Sequence, residues 1–333
     1  MRAQTNTIGE TAFRGNRARA AFLLGGKPFR WLNQGMKPEV VTPQTFPPAS
    51  PGTKRYGVLG FPVAHSLSPA MQEAGFRALG IAAEYFRVEV GPADLAAALP
   101  LLRQAGFQGW NCTLPHKEAM FALCTETDAS AKEAGSANTV IVSGGSLRGF
   151  STDADGWEDA VAEAWKLDLP AQRILILGCG GVGRTLAVRL AQKGCRALTL
   201  ANRHQAKAEE LAEKLRGLSR TPISTVPWGT PELSKAVQKS DLLIHATALG
   251  LGSNDPLPIS EKCLHAGLKI YDTVYRKDYT PLVRQAREHG CEALDGLGML
   301  LHQGARSLQI WTGQPAPLPE MRSALEKAAG RTL

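Results

Sequence analysis

The stretch Ile174-Leu175-Ile176-Leu177-Gly178-Cys179-Gly180-Gly181-Val182-Gly183 decides how this chain folds. Four consecutive apolar residues read as a strand. Glycines at 178, 180 and 183 then satisfy the G-x-G-x-x-G spacing, with Gly181 and Val182 completing the turn. A helix-like pattern follows through Leu186, Val188 and Leu190. Strand, glycine turn and helix in that order mark a dinucleotide-binding unit. The first glycine permits a tight turn, the second lets backbone approach a pyrophosphate, and the third packs helix against sheet. The phosphates then rest on the helix N-terminus, where unpaired amides and the helix dipole favour negative charge.

The next strand, Ala197-Leu198-Thr199-Leu200, ends where the adenosine ribose is held in such a unit. An NAD site places an acid there, whereas an NADP site places arginine. This chain offers Asn202-Arg203 with Lys207 behind, and no acid between Arg196 and Glu209. A guanidinium there grips a 2′-phosphate through paired charge-assisted bonds. NADP is therefore the expected cofactor; the alternative is that Arg203 and Lys207 are solvated charges at a helix start.

Outward from this motif, 333 residues suffice for two ordinary domains, and 44% apolar with 20% charged residues is a globular composition. No apolar run approaches the roughly 18 residues of a membrane span. Six cysteines are scattered with no C-x-x-C pair, so they read as thiols in a reducing, cytoplasmic setting and no metal site is expected. The net charge of +8 is unevenly spread: residues 1–53 hold seven cations against two anions, leaving only +3 for the other 280 residues. The body thus lacks the basic stripe of a nucleic-acid binder, and small phosphates and carboxylates are the expected partners. Residues 1–53 end in Pro43, Pro47, Pro48, Pro51 and Gly52 and read as a basic, disordered extension. A start misplaced upstream of Met36 and an organelle transit peptide, which the segment only half resembles, are the other readings.

Beyond residue 54, short β-like and longer helix-like segments alternate, the signature of α/β architecture. Strands are expected at 56–59, 84–88, 109–113 and 138–142, and helices at 68–79, 92–105, 115–123 and 129–135. A second set of strands is expected at 174–177, 197–200, 241–246, 268–272 and 291–294. A connecting helix spans 155–165, and a helical tail from 298 to 329 breaks at 315–319. Two such units enclose a cleft suited to a reaction between two small molecules.

Polar clusters punctuate the first unit. In His65-Ser66-Leu67-Ser68-Pro69, Pro69 suits the first helical position and Ser68 the N-cap. Ser66 is not needed for a cap, and two hydroxyls at a helix entrance make a carboxylate site. In Asn111-Cys112-Thr113-Leu114-Pro115-His116-Lys117, the lysine falls in a first helical turn. The dipole disfavours a cation there by about 0.3–1 kcal/mol, which points to function. Asn138-Thr139 and Thr152-Asp153-Ala154-Asp155-Gly156 complete the set, with Asp153 read otherwise as a turn or cap carboxylate.

In this order, the clusters resemble the shikimate dehydrogenase family. The likeness is carried by Ser66-Leu67-Ser68-Pro69, Asn111 to Lys117, Asn138-Thr139, Thr152-Asp153 with Gly156, the glycine turn and Asn202-Arg203. It continues through Ala246-Thr247 with Gly250, Asp272-x-x-Tyr275, Thr280-Pro281-Leu282, and Gly296-Leu297-Gly298-Met299-Leu300 with Gln303, so that it covers nearly all of 55–310. The resemblance implies two α/β domains with a cleft between them. These are a substrate-binding domain with a mostly parallel sheet (54–154) and a Rossmann NADP-binding domain (155–295), with C-terminal helices (296–333) returning to the former. It implies NADP-dependent, reversible reduction of 3-dehydroshikimate to shikimate on the route to aromatic amino acids. Ser66 and Ser68 would bind the substrate carboxylate with Tyr275 near it; Asn111, Thr113, Asn138, Asp153 and Gln303 would hold ring hydroxyls. Lys117 and Asp153 would be the catalytic pair. The cofactor would be held by the glycine turn, Asn202, Arg203, Lys207, Thr247, Gly296 and Met299. A monomer or homodimer is expected. Three positions depart from the family pattern: Cys112 replaces Val, Ser151 replaces Asn, and His245 replaces Asn. The rival readings are a broader quinate/shikimate dehydrogenase and a catalytically silent ligand-sensing relative.

Overall fold

The structure, a computed structural model, describes residues 39–252 and 254–333. Alternating strands and helices yield two sheets, which also take in three short strands, at 126–127, 146–150 and 223–225, beyond those expected. The first lobe comprises β1 (Lys54–Gly60), α1 (Ser68–Ala78), β2 (Ala83–Glu89), α2 (Leu95–Gln104), β3 (Phe107–Cys112), α3 (Lys117–Leu123), β4 (Glu126–Thr127), α4 (Ala129–Ala134), β5 (Thr139–Ser143) and β6 (Ser146–Phe150). Its six-stranded sheet runs β2-β1-β3-β5-β6-β4. Only β5 opposes the common direction, pairing antiparallel with β3 and β6. Gly144 and Gly145, with φ of 53° and 90°, form the two-residue hairpin that reverses the chain there.

Helix α5 (Asp153–Ala164) leads to the second lobe: β7 (Arg173–Leu177), α6 (Gly181–Lys193), β8 (Ala197–Ala201), α7 (Gln205–Leu218), β9 (Ile223–Thr225), α8 (Pro231–Lys239), β10 (Leu242–His245), β11 (Lys269–Asp272), α9 (Pro281–Glu288) and β12 (Glu292–Leu294). The order β12-β11-β10-β7-β8-β9 is parallel throughout, the doubly wound arrangement with its switch point beside β7. Ile174 and Ile176 enter one apolar cluster while Leu175 and Leu177 enter the other. A strand covered on both faces needs this unbroken apolar run.

Helices α10 (Leu297–Thr312) and α11 (Leu318–Ala329) return to the first lobe. Leu301, Leu308, Trp311, Met321 and Leu325 bury there with Tyr56, Phe76 and Tyr85, and the Trp311 indole donates to Val140 O at 2.9 Å. Met299, at the start of α10, belongs to the core of the second lobe instead, so this helix joins the two.

Residues 39–53, read from sequence as extension, are attached to the first lobe. Val41 N donates to Arg87 O at 2.9 Å and Val41 O accepts from Glu89 N at 2.8 Å, lengthening the sheet beside its edge strand β2. Phe46 packs tilted against Phe107 with centroids 4.9 Å apart. Arg55, only 2% exposed, donates to Pro47 O at 2.8 Å and Pro48 O at 2.6 Å. A buried guanidinium needs acceptors, and the proline carbonyls supply them. The rest of the extension, including Met36, lies outside the described residues.

Candidate active site

Lys117 is the first residue of α3, reached from β3 through a cis Leu114-Pro115 bond. Its carbonyl accepts from Ala137 N at 2.9 Å, which ties the helix start to the strand leading into β5. Asp153 is the first residue of α5, with Thr152 at the N-cap position. The Lys117 ammonium donates to Asp153 Oδ2 at 2.7 Å, the lysine side chain 15% and the aspartate 3% exposed. The two helix ends act oppositely on the pair. The α5 dipole favours the carboxylate, while the α3 dipole disfavours the ammonium, which the carboxylate then holds in place.

Asn138 stands behind this pair. Its Nδ2 lies 2.9 Å from Thr152 Oγ1 and 3.1 Å from both Asp153 Oδ1 and Gln303 Oε1, while its Oδ1 accepts from Thr152 N at 2.8 Å. Asn111 is equally committed: its Nδ2 reaches Asn138 O, Thr139 Oγ1 and Ser307 Oγ at 2.9–3.0 Å, and its Oδ1 accepts from Tyr85 OH at 2.7 Å. Tyr85 and Ser307 were not singled out from sequence, and Thr139 and Thr152 stood in the quoted motifs without a role, because nothing local marks a strand or helix residue as support for a distant amide.

Two cavities meet at Lys117. The smaller, about 150 Å³, is lined by Ser66, Ser68, Asn111, Thr113, Lys117, Asp153, Tyr275 and Gln303, together with Val182, Gly296 and Met299. It thus collects every expected substrate residue except Asn138. Ser68 is not the N-cap of α1. Leu67 takes that position without a side-chain bond, Pro69 is the second helical residue, and Ser68 is paired with Ser66 at 3.2 Å. Ser66 Oγ also accepts from Ser68 N at 3.3 Å, and both serines line the cavity. Burial pushes the Tyr275 phenol up, against bonds to the Leu67 backbone and the Ser66 side chain. His65, also in this lining and unflagged by the sequence, is pushed down by burial and by the Arg87 charge.

The larger cavity, about 420 Å³, runs past Thr113, Leu114 and Pro115 to Gly180, Gly181, Val182, Lys207 and Thr247. A Cβ on Gly181 would touch Lys117 Cβ at 3.4 Å, so the lysine stem lies across the glycine turn. Gly178 has φ +104°, and a Cβ on Gly183 would stand 1.9 Å from Gly178 O. Only glycine closes this turn. Beside Gly180 the space is open, and α6 begins there with no acidic residue in its first turn. The backbone here fits a pyrophosphate. Asn202 Oδ1 accepts from Cys179 N at 3.1 Å and anchors the turn. Arg203 is exposed at the end of β8 and outside this lining, whereas the exposed Lys207 is within it.

His245 fills its unusual position with a buried network. Its Nδ1 is 2.9 Å from Asp272 Oδ1 and its Nε2 is 2.6 Å from Thr247 Oγ1. Asp272 also accepts from Val274 N at 3.0 Å and from Thr280 Oγ1 at 2.6 Å.

Comparison with known proteins shows the family. Residues 58–140 match the family model "Shikimate dehydrogenase substrate binding domain", 160–252 match "Shikimate / quinate 5-dehydrogenase", and 296–326 match "Shikimate 5'-dehydrogenase C-terminal domain". The shikimate dehydrogenase (NADP(+)) of Rubrobacter xylanophilus is 41% identical over 276 residues, spanning 82% of this chain and 95% of that protein. The chain belongs to the shikimate dehydrogenase family. Among solved members, the shikimate dehydrogenase of Aquifex aeolicus superposes with a TM-score of 0.75 at 32% identity, over 83% of this chain and 99% of that one. The shikimate 5-dehydrogenase of Thermus thermophilus, solved with NADP(H) and shikimate, gives 0.73 at 34% identity, over 83% and 99%. Among the described residues no helix is long and apolar enough to cross a membrane, and all six cysteines are free thiols.

Proposed function

We propose that this chain catalyses the reversible, NADP-dependent reduction of 3-dehydroshikimate to shikimate, with Lys117 and Asp153 as its proton-handling pair. The observation that carries this reading is the Lys117–Asp153 ion pair at 2.7 Å, with Lys117 lining both cavities and Asp153 the smaller. One cavity holds hydroxyl and amide groups, and the other is floored by the dinucleotide turn. We assign residues 54–154 and the helices of 296–333 to substrate binding and 155–295 to the nucleotide.

Ser66, Ser68 and Tyr275 receive the substrate carboxylate; Asn111, Thr113 and Gln303 receive ring hydroxyls. Asn138 acts by holding Asp153 and Gln303. The cofactor is held by Gly178, Gly180, Gly181, Val182 and Gly183, with Asn202, Thr247, Gly296 and Met299 around it. Arg203 and Lys207 take the 2′-phosphate. The bound nicotinamide supplies the hydride in one direction and accepts it in the other. Lys117 does the rest of the chemistry. As ammonium it polarises the ketone oxygen and gives that oxygen a proton as the carbinol forms. In the reverse direction its neutral amine takes the hydroxyl proton. Asp153 orients the amine and shares the charge, so the pair titrates as a unit.

Oxidation of NADPH on addition of 3-dehydroshikimate tests the reading, and absence of turnover with purified protein refutes it. Parallel assays with quinate and with NAD separate it from a broader quinate/shikimate dehydrogenase. Turnover of any kind excludes a silent ligand sensor. A cytoplasmic monomer or homodimer goes with this activity and is read by fractionation and sedimentation.

A further inference from the structure

The carboxylate end of the smaller cavity has a charge problem. Ser66, Ser68 and Tyr275 are neutral donors. Among the described residues lining that cavity, the one fully cationic side chain is Lys117, which is engaged by Asp153. A carboxylate enclosed by neutral groups loses more hydration than hydroxyls return.

The nearest remedy comes from behind the wall. Arg87, on β2, donates from Nε to Ser66 O at 2.8 Å. Its positive charge is felt by both Tyr275 and His65. The other side of the same residue is held by the extension: Arg87 Nη1 donates to Glu39 O at 3.4 Å, and Arg87 O accepts from Val41 N at 2.9 Å. Val41 is 2% exposed and so is fixed in the core of the lobe. The match to the family's substrate-domain model begins only at residue 58, so residues 39–41 are a strap outside that shared segment.

We infer that Arg87 is a positioning residue that sets Ser66 and complements the substrate carboxylate through it, and that residues 39–41 are the strap holding its guanidinium there. The extension of this chain is then a determinant of substrate affinity. This rests on the reading of Ser66 and Ser68 as the carboxylate site.

The test uses the full-length chain, with shikimate and its methyl ester as paired substrates. For Arg87→Met, KM for shikimate rises about tenfold or more, the scale of losing a bond to a charged group. At the same time kcat and KM for NADP stay within about twofold, and the neutral ester is little affected. Arg87→Lys falls between Arg87→Met and the wild type. Val41→Pro, which deletes the N–H bonded to Arg87 O, moves shikimate KM in the same direction by about threefold. Equal losses for acid and ester, an unmoved KM in folded Arg87→Met, or joint losses in kcat and NADP binding overturn the inference. Should Arg87→Met fail to fold, Arg87→Lys and Val41→Pro decide it by the same acid-to-ester ratio. Wild-type protein that turns over neither substrate refutes the functional reading itself; wild-type turnover with indifferent variants refutes only the strap.

Discussion

Single residues in this chain are held by partners far away in sequence. His245 is the clearest case, since its ring joins Thr247 in the nucleotide cavity to Asp272 at the end of β11. The substitution His245→Leu leaves a buried carboxylate oxygen and a threonine hydroxyl short of partners, at a cost of about 1–3 kcal/mol. A urea unfolding midpoint lowered accordingly, with an increased KM for NADP, is the expected result; an unchanged midpoint shows the network to be idle. Arg203→Asp is a test of selectivity. It should weaken NADP far more than NAD, by at least tenfold if one charge-assisted pair is lost, measured by direct titration. Equal affinities before and after remove Arg203 from the 2′-phosphate site. The residues we assign to ligands drew attention in the sequence because serine pairs, Asn-x-Thr and Thr-Asp clusters stand out at element ends. Tyr85 and Ser307 were not legible, since their task is defined only by Asn111 arriving from β3.

At the scale of elements, the proposed proton-handling pair and the dinucleotide turn all sit at helix starts. α3 presents Lys117, α5 presents Asp153 and α6 presents the glycine turn. The start of α3 is buttressed by His116, a buried side chain whose Nε2 lies 2.8 Å from Val90 O. Burial pushes its pKa below the usual 6.5, and the bond to Val90 offsets this in part. The unfolded chain therefore binds the proton first as pH falls. His116 favours folding fully above about pH 6.5, and that contribution declines as pH drops through 6.5 toward the lowered native value. Thermal midpoints at pH 7.5 and 5.5 should differ more in wild type than in His116→Gln, which keeps a donor without a titrating ring. Equal differences contradict the assignment.

Most elements were readable from periodicity, whereas the short strands β4, β6 and β9 were not. The β5–β6 hairpin carries a Gly144-Gly145 signal, but the polar, short Ser146–Phe150 strand hides behind it. Ser68 looked like a cap because composition at a helix entrance cannot tell a hydroxyl turned to backbone from one turned to a cavity.

For the whole molecule, the parallel sheet of the second lobe and the mixed sheet of the first meet through α10, which buries Met299 in one core and Leu297, Leu301, Leu308 and Trp311 in the other. That connection lets Gln303 reach Asn138 and places Met299 beside the substrate cavity. The dinucleotide lobe was legible through its local motif and five of its six strands, the short β9 being missed. The attachment of residues 39–53 was not, because proline-rich composition reads as linker until Arg55 is seen to need the carbonyls of Pro47 and Pro48. What the assembly achieves is one amine poised between two cavities. The most direct test is the turnover number of Lys117→Ala with 3-dehydroshikimate and NADPH, taken with its affinity for NADPH. Loss of a general acid lowers kcat by about 10²–10⁴-fold while NADPH binding stays within about twofold, as expected for a group acting on the substrate oxygen. A kcat close to that of the wild type contradicts the account.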